Sequence, residues 1–246
     1  PPNPPCIWLP LEHSALSEFL SPDYVVRASR DQCLSVVTAL AYHESAHLKS
    51  GEPWNVALLS SNPVPTLDEC WWSPDQDATP PDGKKILPGL FANLVNDVND
   101  YTVCPDRWPR SSALMMALAW VMFWHGQLLE PQTRAGLKAI TDTNERAQRE
   151  FLRLHNAYVW FLRSRKIRYG DKIVRELPLR DPMAEPFAQC RIVSTDARRL
   201  ADPTQRAPLI GRLYHVFLSY WIACGGDPDK FEAYCETVHG MSIDNR

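Results

Sequence analysis

One pentapeptide, His43-Glu44-Ser45-Ala46-His47, has the residue types and the spacing that metal chemistry requires. Residues four apart lie on the same face of an α-helix, so both imidazoles can reach one ion. The glutamate beside the first histidine can accept a proton from a metal-bound water, whose pKa zinc lowers to about 7. The pattern predicts a zinc site in which His43 and His47 are ligands and Glu44 is the general base.

The HExxH pattern is short, which limits what it establishes alone. A chain of this length with seven histidines contains it by chance in about 1% of cases. The alternative interpretation is two half-buried histidines that are hydrogen-bonded to neighbours, with Glu44 in solvent. Both interpretations remain open from the pentapeptide itself.

A zinc site of this kind needs a third protein ligand. The metzincin continuation is absent, because Ser50 stands where glycine is expected and no third histidine follows. Glu52 is close in sequence, but it follows Gly51, where the helix is predicted to stop.

A better source of a carboxylate lies further along the chain. An apolar helical segment carries four polar residues at positions i, i+3, i+4 and i+7, namely Asn93, Asn96, Asp97 and Asp100. This spacing predicts one polar stripe on the helix. The stripe either supplies a carboxylate to a His₂-carboxylate zinc site or faces solvent.

Together the two segments resemble zincin-type metallopeptidase domains, especially bacterial and phage domains that accompany von Willebrand A modules. The resemblance covers about residues 34–103, and its matching residues are His43, Glu44, His47, Asn93, Asn96 and Asp97. It implies that Asp97 is the third zinc ligand, where zincins more commonly have glutamate, and that the protein hydrolyses peptide bonds. The Asp-x-Ser-x-Ser motif of a von Willebrand A module is absent, so the resemblance fits both an active peptidase and a degenerate relative.

The elements that must position these residues are mostly helices. Hydrophobic periodicity predicts helices over 31–48, 87–103, 111–129, 132–168 (as one helix or two), 208–223 and 229–239. Short strands are predicted at 24–26 and, with a short helix as the alternative, at 54–59, and a long proline-rich loop at 62–88. We therefore expect a mainly α fold in one helical domain over 1–246, with 1–130 and 131–246 as its possible halves.

Composition excludes several classes of protein. Hydrophobic residues make up 45% and charged residues 22%, as in globular rather than disordered chains. The seven cysteines form no CxxC pair and are odd in number, which favours reduced core thiols and a cytoplasmic location. The chain starts with no signal-peptide pattern. The longest apolar run, residues 113–124, is shorter than the about 20 residues that span a bilayer, so we expect no membrane partner.

A basic segment suggests a second class of function. Nine bases and two acids lie between Arg146 and Arg175, interleaved with aromatic residues. Bases neutralise phosphates and aromatic rings stack on unpaired bases, so Arg163, Arg165, Lys166 and Arg168 are candidates for nucleic-acid contact. The alternative is an amphipathic helix whose arginines are solvated, and the pI near 6.2 favours that alternative.

A third possibility is a non-catalytic helical interaction module, such as a plasmid- or phage-type inhibitor or a scaffold. The predicted long loop carries two adjacent tryptophans, and a third follows some way along the chain. Because exposed tryptophans are frequent binding hot spots, Trp71, Trp72 and Trp108 are the expected anchors for a protein or peptide partner.

Overall fold

The computed structural model describes residues 58–60, 84–86, 89–107, 139–200 and 203–244, together with positions 31, 34, 37, 38, 41 and 42. Those six isolated positions are helical. The other elements are strands β1 (Leu58–Ser60) and β2 (Lys84–Ile86), helices α1 (Gly89–Arg107) and α2 (Thr143–Ser164), strands β3 (Ile167–Tyr169) and β4 (Lys172–Val174), helix α3 (Ala184–Ala197), a 3₁₀ helix (Pro203–Arg206), and helices α4 (Ala207–Ala223) and α5 (Pro228–Asp244).

The fold is mainly α, as the sequence predicts. Helices α1 to α4 pack on one another, and α5 packs on α1 and α4. The strands form two separate antiparallel pairs: β1 with β2, and β3 with β4. None of the described helices is long and apolar enough to cross a membrane.

An aromatic cluster joins four of the helices in the core. Phe151 of α2 lies edge-to-face against Phe217 of α4 with ring centroids 5.1 Å apart. Phe217 meets Phe91 of α1 at 5.4 Å, and Phe231 of α5 meets Phe151 at 5.9 Å. Phe91, Phe151, Phe217 and Phe231 are all at most 1% exposed. Aromatic rings in this geometry contribute about 0.5–1.5 kcal/mol per pair beyond their buried area.

Both ends of α2 are defined by local chemistry. The carboxylate of Asp142 accepts hydrogen bonds from the backbone N–H groups of Asn144 and Glu145, at 2.8 and 3.1 Å, which caps the first turn. At the other end Arg165 adopts a left-handed conformation with φ of 59°, and its N–H donates to the carbonyl of Phe161. A left-handed residue at this position ends a helix.

The structure corrects several predicted elements. The proline-rich loop predicted at 62–88 contains strand β2, which pairs with β1 in the register Leu58 to Ile86. The helix predicted to run to Arg168 ends at Ser164, because the chain turns at Arg165 and enters the β3–β4 hairpin. The helix predicted over 229–239 runs from Pro228 to Asp244.

Other predictions agree with the described elements or lie outside them. Helix α4 occupies Ala207–Ala223, within one residue of its prediction, and α1 occupies Gly89–Arg107. The predicted strand at 24–26 and the predicted helix over 111–129 lie outside the described residues. The three cysteines with described side chains, Cys190, Cys224 and Cys235, are buried free thiols, as expected for core cysteines.

Candidate functional site

The polar stripe of α1 does not face solvent at Asp97. The side chain of Asp97 is 5% exposed and lies on a helix whose neighbouring residues Leu94 and Val98 are also buried. Asn93 and Asn96 are half-buried. The side-chain oxygen Oδ1 of Asn96 accepts a hydrogen bond from Nη1 of Arg206 at 3.1 Å. The stripe therefore faces other parts of the protein along this stretch.

Asp97 acts electrostatically on two residues of α2, His155 and Tyr158. Burial lowers the pKa of His155 from its usual value, and Arg163 lowers it further, while a hydrogen bond with Asn156 and the charge of Asp97 act in the opposite direction. The lowered pKa favours the neutral imidazole, the form in which histidine binds metals. Burial also raises the pKa of Tyr158, and Asp97 adds to that rise.

Tyr158 is the second α2 residue on which the charge of Asp97 acts. Its side chain is fully buried, and its hydroxyl accepts a hydrogen bond of 2.9 Å from the hydroxyl of Ser194 on α3. A buried phenol normally has a hydrogen-bond partner, because leaving its oxygen unsatisfied costs about 1–3 kcal/mol. The surroundings of Asp97 are thus a polar region within the helical core.

The residues of the HExxH sequence, His43, Glu44 and His47, lie outside the described residues. The described positions between 31 and 42, which precede the pentapeptide, are all helical. Val37 is 7% exposed and belongs to the core, and Tyr42 packs against the core. Leu34, in contrast, is 58% exposed. The described helical positions before the pentapeptide thus include both buried and exposed residues.

The basic segment around the end of α2 has its aromatic residues turned inward. Tyr158, Trp160 and Phe161 are at most 9% exposed, and the hydroxyl of Tyr169 donates a hydrogen bond of 2.8 Å to Asp181. Rings that stack on unpaired nucleic-acid bases must be accessible. The rings of Tyr158, Trp160 and Phe161 do not offer such a platform in this structure.

The four candidate bases lie at the surface or cover those rings. The guanidinium of Arg165 lies over the ring of Phe161 at 5.4 Å from its centroid. Nε of Arg168 donates to the carbonyl of Gly170 at 3.2 Å. Lys166 is exposed and Arg163 is half-buried. The arrangement matches the amphipathic-helix interpretation, in which the bases cover the outside of a buried apolar face.

Trp71, Trp72 and Trp108, the predicted partner-binding anchors, lie outside the described residues. The tryptophans whose side chains are described are core residues, with Trp160 at 4% and Trp221 at 1% exposed. The indole N–H of Trp221 donates to the carbonyl of Asp227 at 2.9 Å. Neither is placed to anchor a partner.

Sequence reasoning missed a buried ionic network between α2 and the turn that precedes α3. Nη1 of Arg153 lies 2.6 Å from Oε2 of Glu150, and its Nη2 lies 3.4 Å from Oδ2 of Asp181. All three residues are at most 7% exposed. The available signal was the position of Glu150 and Arg153 on the same helical face as buried Ala147 and Leu154, where a charge needs a partner.

Within the part of the chain that the structure describes, no group of three or more His, Cys, Asp or Glu side chains is arranged to hold a metal ion. Two of the three predicted ligands, His43 and His47, are outside that part. Comparison with known proteins adds no relative: no family model, no curated protein and no solved structure matches the chain significantly.

Proposed function

We propose that this chain is a zinc-dependent peptidase of the zincin type, with His43, His47 and Asp97 as ligands and Glu44 as general base. One observation carries the proposal. Asp97 is a buried carboxylate whose charge acts on His155 of the neighbouring helix α2. Asp97 does not face solvent, so the alternative interpretation of a solvent-facing stripe does not apply to it.

The burial of Asp97 matters because a carboxylate leaves water only at a cost. An ionised side chain in a protein interior is compensated by hydrogen bonds, by cationic groups or by a metal. Leu94 and Val98, one turn away and adjacent on the same helix, are in the core and fix the position of Asp97. A fixed, buried carboxylate is a suitable third ligand.

The exposure of the first helix also supports the proposal. Successive helical residues are rotated by about 100°. Leu34 and Asp31 are exposed, and helical periodicity puts His43 about 180° from Leu34 and His47 about 160° from Asp31. If the helix continues through the pentapeptide, both imidazoles are directed away from the exposed side. That is the direction in which an interior carboxylate could meet them.

Each residue then has one task. Zinc, when bound, supplies a water of lowered pKa. Glu44 would accept a proton from that water, and it is not a ligand in this scheme. His43, His47 and Asp97 would hold the ion. Three protein ligands leave one position open, as catalytic rather than structural zinc sites require.

The test compares the wild type with Glu44→Gln in a cleavage assay on a broad peptide library. The amide cannot act as a base, so we expect peptide hydrolysis to fall by at least about 100-fold while fold and zinc content stay unchanged. The matched control is Glu145→Gln, which changes an exposed glutamate and should keep full activity. Hydrolysis that is equal in the wild type and Glu44→Gln, or absent from zinc-loaded wild type, would refute the peptidase.

A second candidate, a protein-interaction module, is favoured by a different feature. The turn from Pro178 to Asp181 is closed by a 2.8 Å hydrogen bond between the N–H of Asp181 and the carbonyl of Pro178. At its tip Leu179 is 98% exposed, next to the exposed Arg180. If this tip contacts a partner protein, Leu179→Ser should weaken binding to a co-purifying partner without changing stability, whereas Leu34→Ser should not weaken it.

A further inference from the structure

Helices α3 and α4 pack against each other and leave a groove on their outer side. The wall on the α3 side begins just before the helix and is formed by Pro182, Glu185, Pro186 and Gln189. The wall on the α4 side contains Val216, Ser219, Tyr220 and Ala223. Both sets have the spacing i, i+3, i+4 and i+7, so each is one face of its segment. The groove has a volume of about 460 Å³, within the range of about 300–1,000 Å³ that is typical of small-molecule sites.

The base of the groove is held in place by hydrogen bonds to α2. Tyr220 and Cys224 are both at most 4% exposed. The hydroxyl of Tyr220 donates to Oε2 of Glu150 at 2.6 Å, and the carbonyl of Cys224 accepts from Nε of Arg146 at 2.6 Å. A groove whose base is fixed in this way is formed before a ligand arrives, so little conformational entropy is lost on binding.

The groove combines apolar walls with a single carboxylate. Among the described residues that line it, Glu185 is the only aspartate, glutamate, lysine or arginine. Oε1 of Glu185 accepts a hydrogen bond of 2.8 Å from Nε2 of Gln189, which is one helical turn away on the same wall. Apolar surface around one oriented polar group is the usual composition of a small-molecule site.

The charges behind the base of the groove balance one another. Tyr220 is hydrogen-bonded to Glu150, and Glu150 and Asp181 share the guanidinium of Arg153. With the guanidinium of Arg146 at Cys224, two carboxylates and two guanidiniums give a formal charge of zero. The carboxylate of Glu185 is therefore the formal charge that the described lining presents. The described lining contains no lysine or arginine to offset it. Charge complementarity therefore favours a cationic ligand over an anionic one.

We propose that this groove binds a small organic cation, whose apolar body lies on Pro186 and Val216 and whose ammonium group lies at Glu185. Asp97, the one predicted zinc ligand that the structure describes, is not among the described residues that line the groove. The groove proposal and the zinc proposal are tested by different measurements, and either one can fail without the other.

The test uses three probes with one apolar body and different end groups: phenylbutylammonium, phenylbutanol and phenylbutyrate. Binding to the full chain is measured by isothermal titration at one fixed pH of about 8, the same for all three probes. His215 also lines the groove. We expect the ammonium to bind about two- to five-fold more tightly than the alcohol, as for a partly exposed charge pair, and the carboxylate most weakly.

Four variants separate the effect of the Glu185 charge on affinity from the effect of the space within the groove. Glu185→Gln should equalise the affinities for ammonium and alcohol, whereas Glu236→Gln, an exposed glutamate outside the groove, should leave the difference intact. Ser219→Trp and Ala223→Trp add bulk at exposed lining positions rather than in the core. Each should abolish binding of all three probes while the circular dichroism spectrum is unchanged.

Several results would overturn the proposal. One is equal affinity for the three probes, or no probe binding at millimolar concentration. Another is probe binding that both tryptophan variants retain. Sedimentation of the wild type and of Ala223→Trp tests whether a second copy of the chain occupies the groove instead. A dimer that only the wild type forms would assign the groove to that second copy.

Discussion

The hydroxyl of Tyr220 donates a hydrogen bond of 2.6 Å to Oε2 of Glu150, a residue 70 positions earlier in the chain. The same carboxylate oxygen accepts from Nη1 of Arg153 at 2.6 Å. Asp181, the second carboxylate near Arg153, also accepts from the hydroxyl of Tyr169 at 2.8 Å. Helices α2 and α4 and the β3 strand are thus connected by a network in which one buried guanidinium serves two carboxylates.

Removing the guanidinium from this network should destabilise the fold strongly. Arg153→Met keeps an apolar chain of similar length but leaves Glu150 and Asp181 without their shared cation. Breaking a buried pair in this way typically costs about 3–5 kcal/mol. We expect urea denaturation to show a loss of this size in the free energy of unfolding.

Arg149→Met is the control for that experiment, because Arg149 is an exposed base on the same helix. Its effect should stay within about 0.5 kcal/mol, as for most surface substitutions. A loss below about 1 kcal/mol for Arg153→Met would contradict the structural role of the network.

His155 should make stability depend on pH on the acidic side. Burial, the largest cause, lowers its pKa in the folded protein below the unfolded value near 6.5. The unfolded chain therefore binds the proton more readily, so this contribution is present above about pH 6.5 and is lost as the pH falls below it. His155→Gln should reduce the decrease in unfolding free energy between pH 7.5 and about pH 5, measured by urea denaturation at each pH.

An equal pH dependence of stability in the two proteins would contradict this prediction. If the wild type and His155→Gln lose the same unfolding free energy between the two pH values, His155 does not have a lowered pKa. His215→Gln provides the comparison, because His215 is a second described histidine and lines the groove between α3 and α4. The comparison distinguishes the effect of this site from a general loss of histidines.

The left-handed conformation of Arg165 gives a test of the end of α2. Its φ is 59°, where a side chain with a Cβ is disfavoured by about 1–2 kcal/mol and glycine is not. Arg165→Gly and Arg165→Ala both lose the guanidinium over Phe161, so their difference reports the backbone alone. We expect the glycine variant to be more stable than the alanine variant by about 1 kcal/mol in thermal or urea unfolding. Equal stability would mean that the helix does not end at this residue.

The helices could be predicted because their apolar residues recur at helical spacing. Helix α4 is the clearest case: residues such as Leu213, Phe217 and Tyr220 are all buried, and Gly225, with φ of 88°, follows its end. The β3–β4 hairpin was missed because its strands are three residues long and carry several charges. Gly170, with φ of 59°, was a turn signal, since a two-residue hairpin turn takes glycine at its first position.

The candidate site could be predicted only in part. Spacing identified the polar stripe of α1, but periodicity alone could not distinguish a stripe that faces the interior from one that faces solvent. The burial of Asp97 depends on α2, which supplies His155 and Tyr158, and the pairing of α1 with α2 is a tertiary contact. The groove could not be predicted for the same reason. Its walls belong to two helices, α3 and α4, and helical periodicity does not show which helices pack together.

The central claim is that His43, His47 and Asp97 hold one zinc ion, and metal content tests it most directly. The full chain is purified without added zinc, and its zinc is measured by elemental analysis beside His43→Ala, His47→Ala, Asp97→Ala and the control Asp196→Ala. Asp196 is on α3 and is paired with Arg212. The account predicts about one zinc per chain in the wild type and in the control, and a strong loss in each of the other three variants. No stoichiometric zinc in the wild type, or equal zinc in all five proteins, would contradict it.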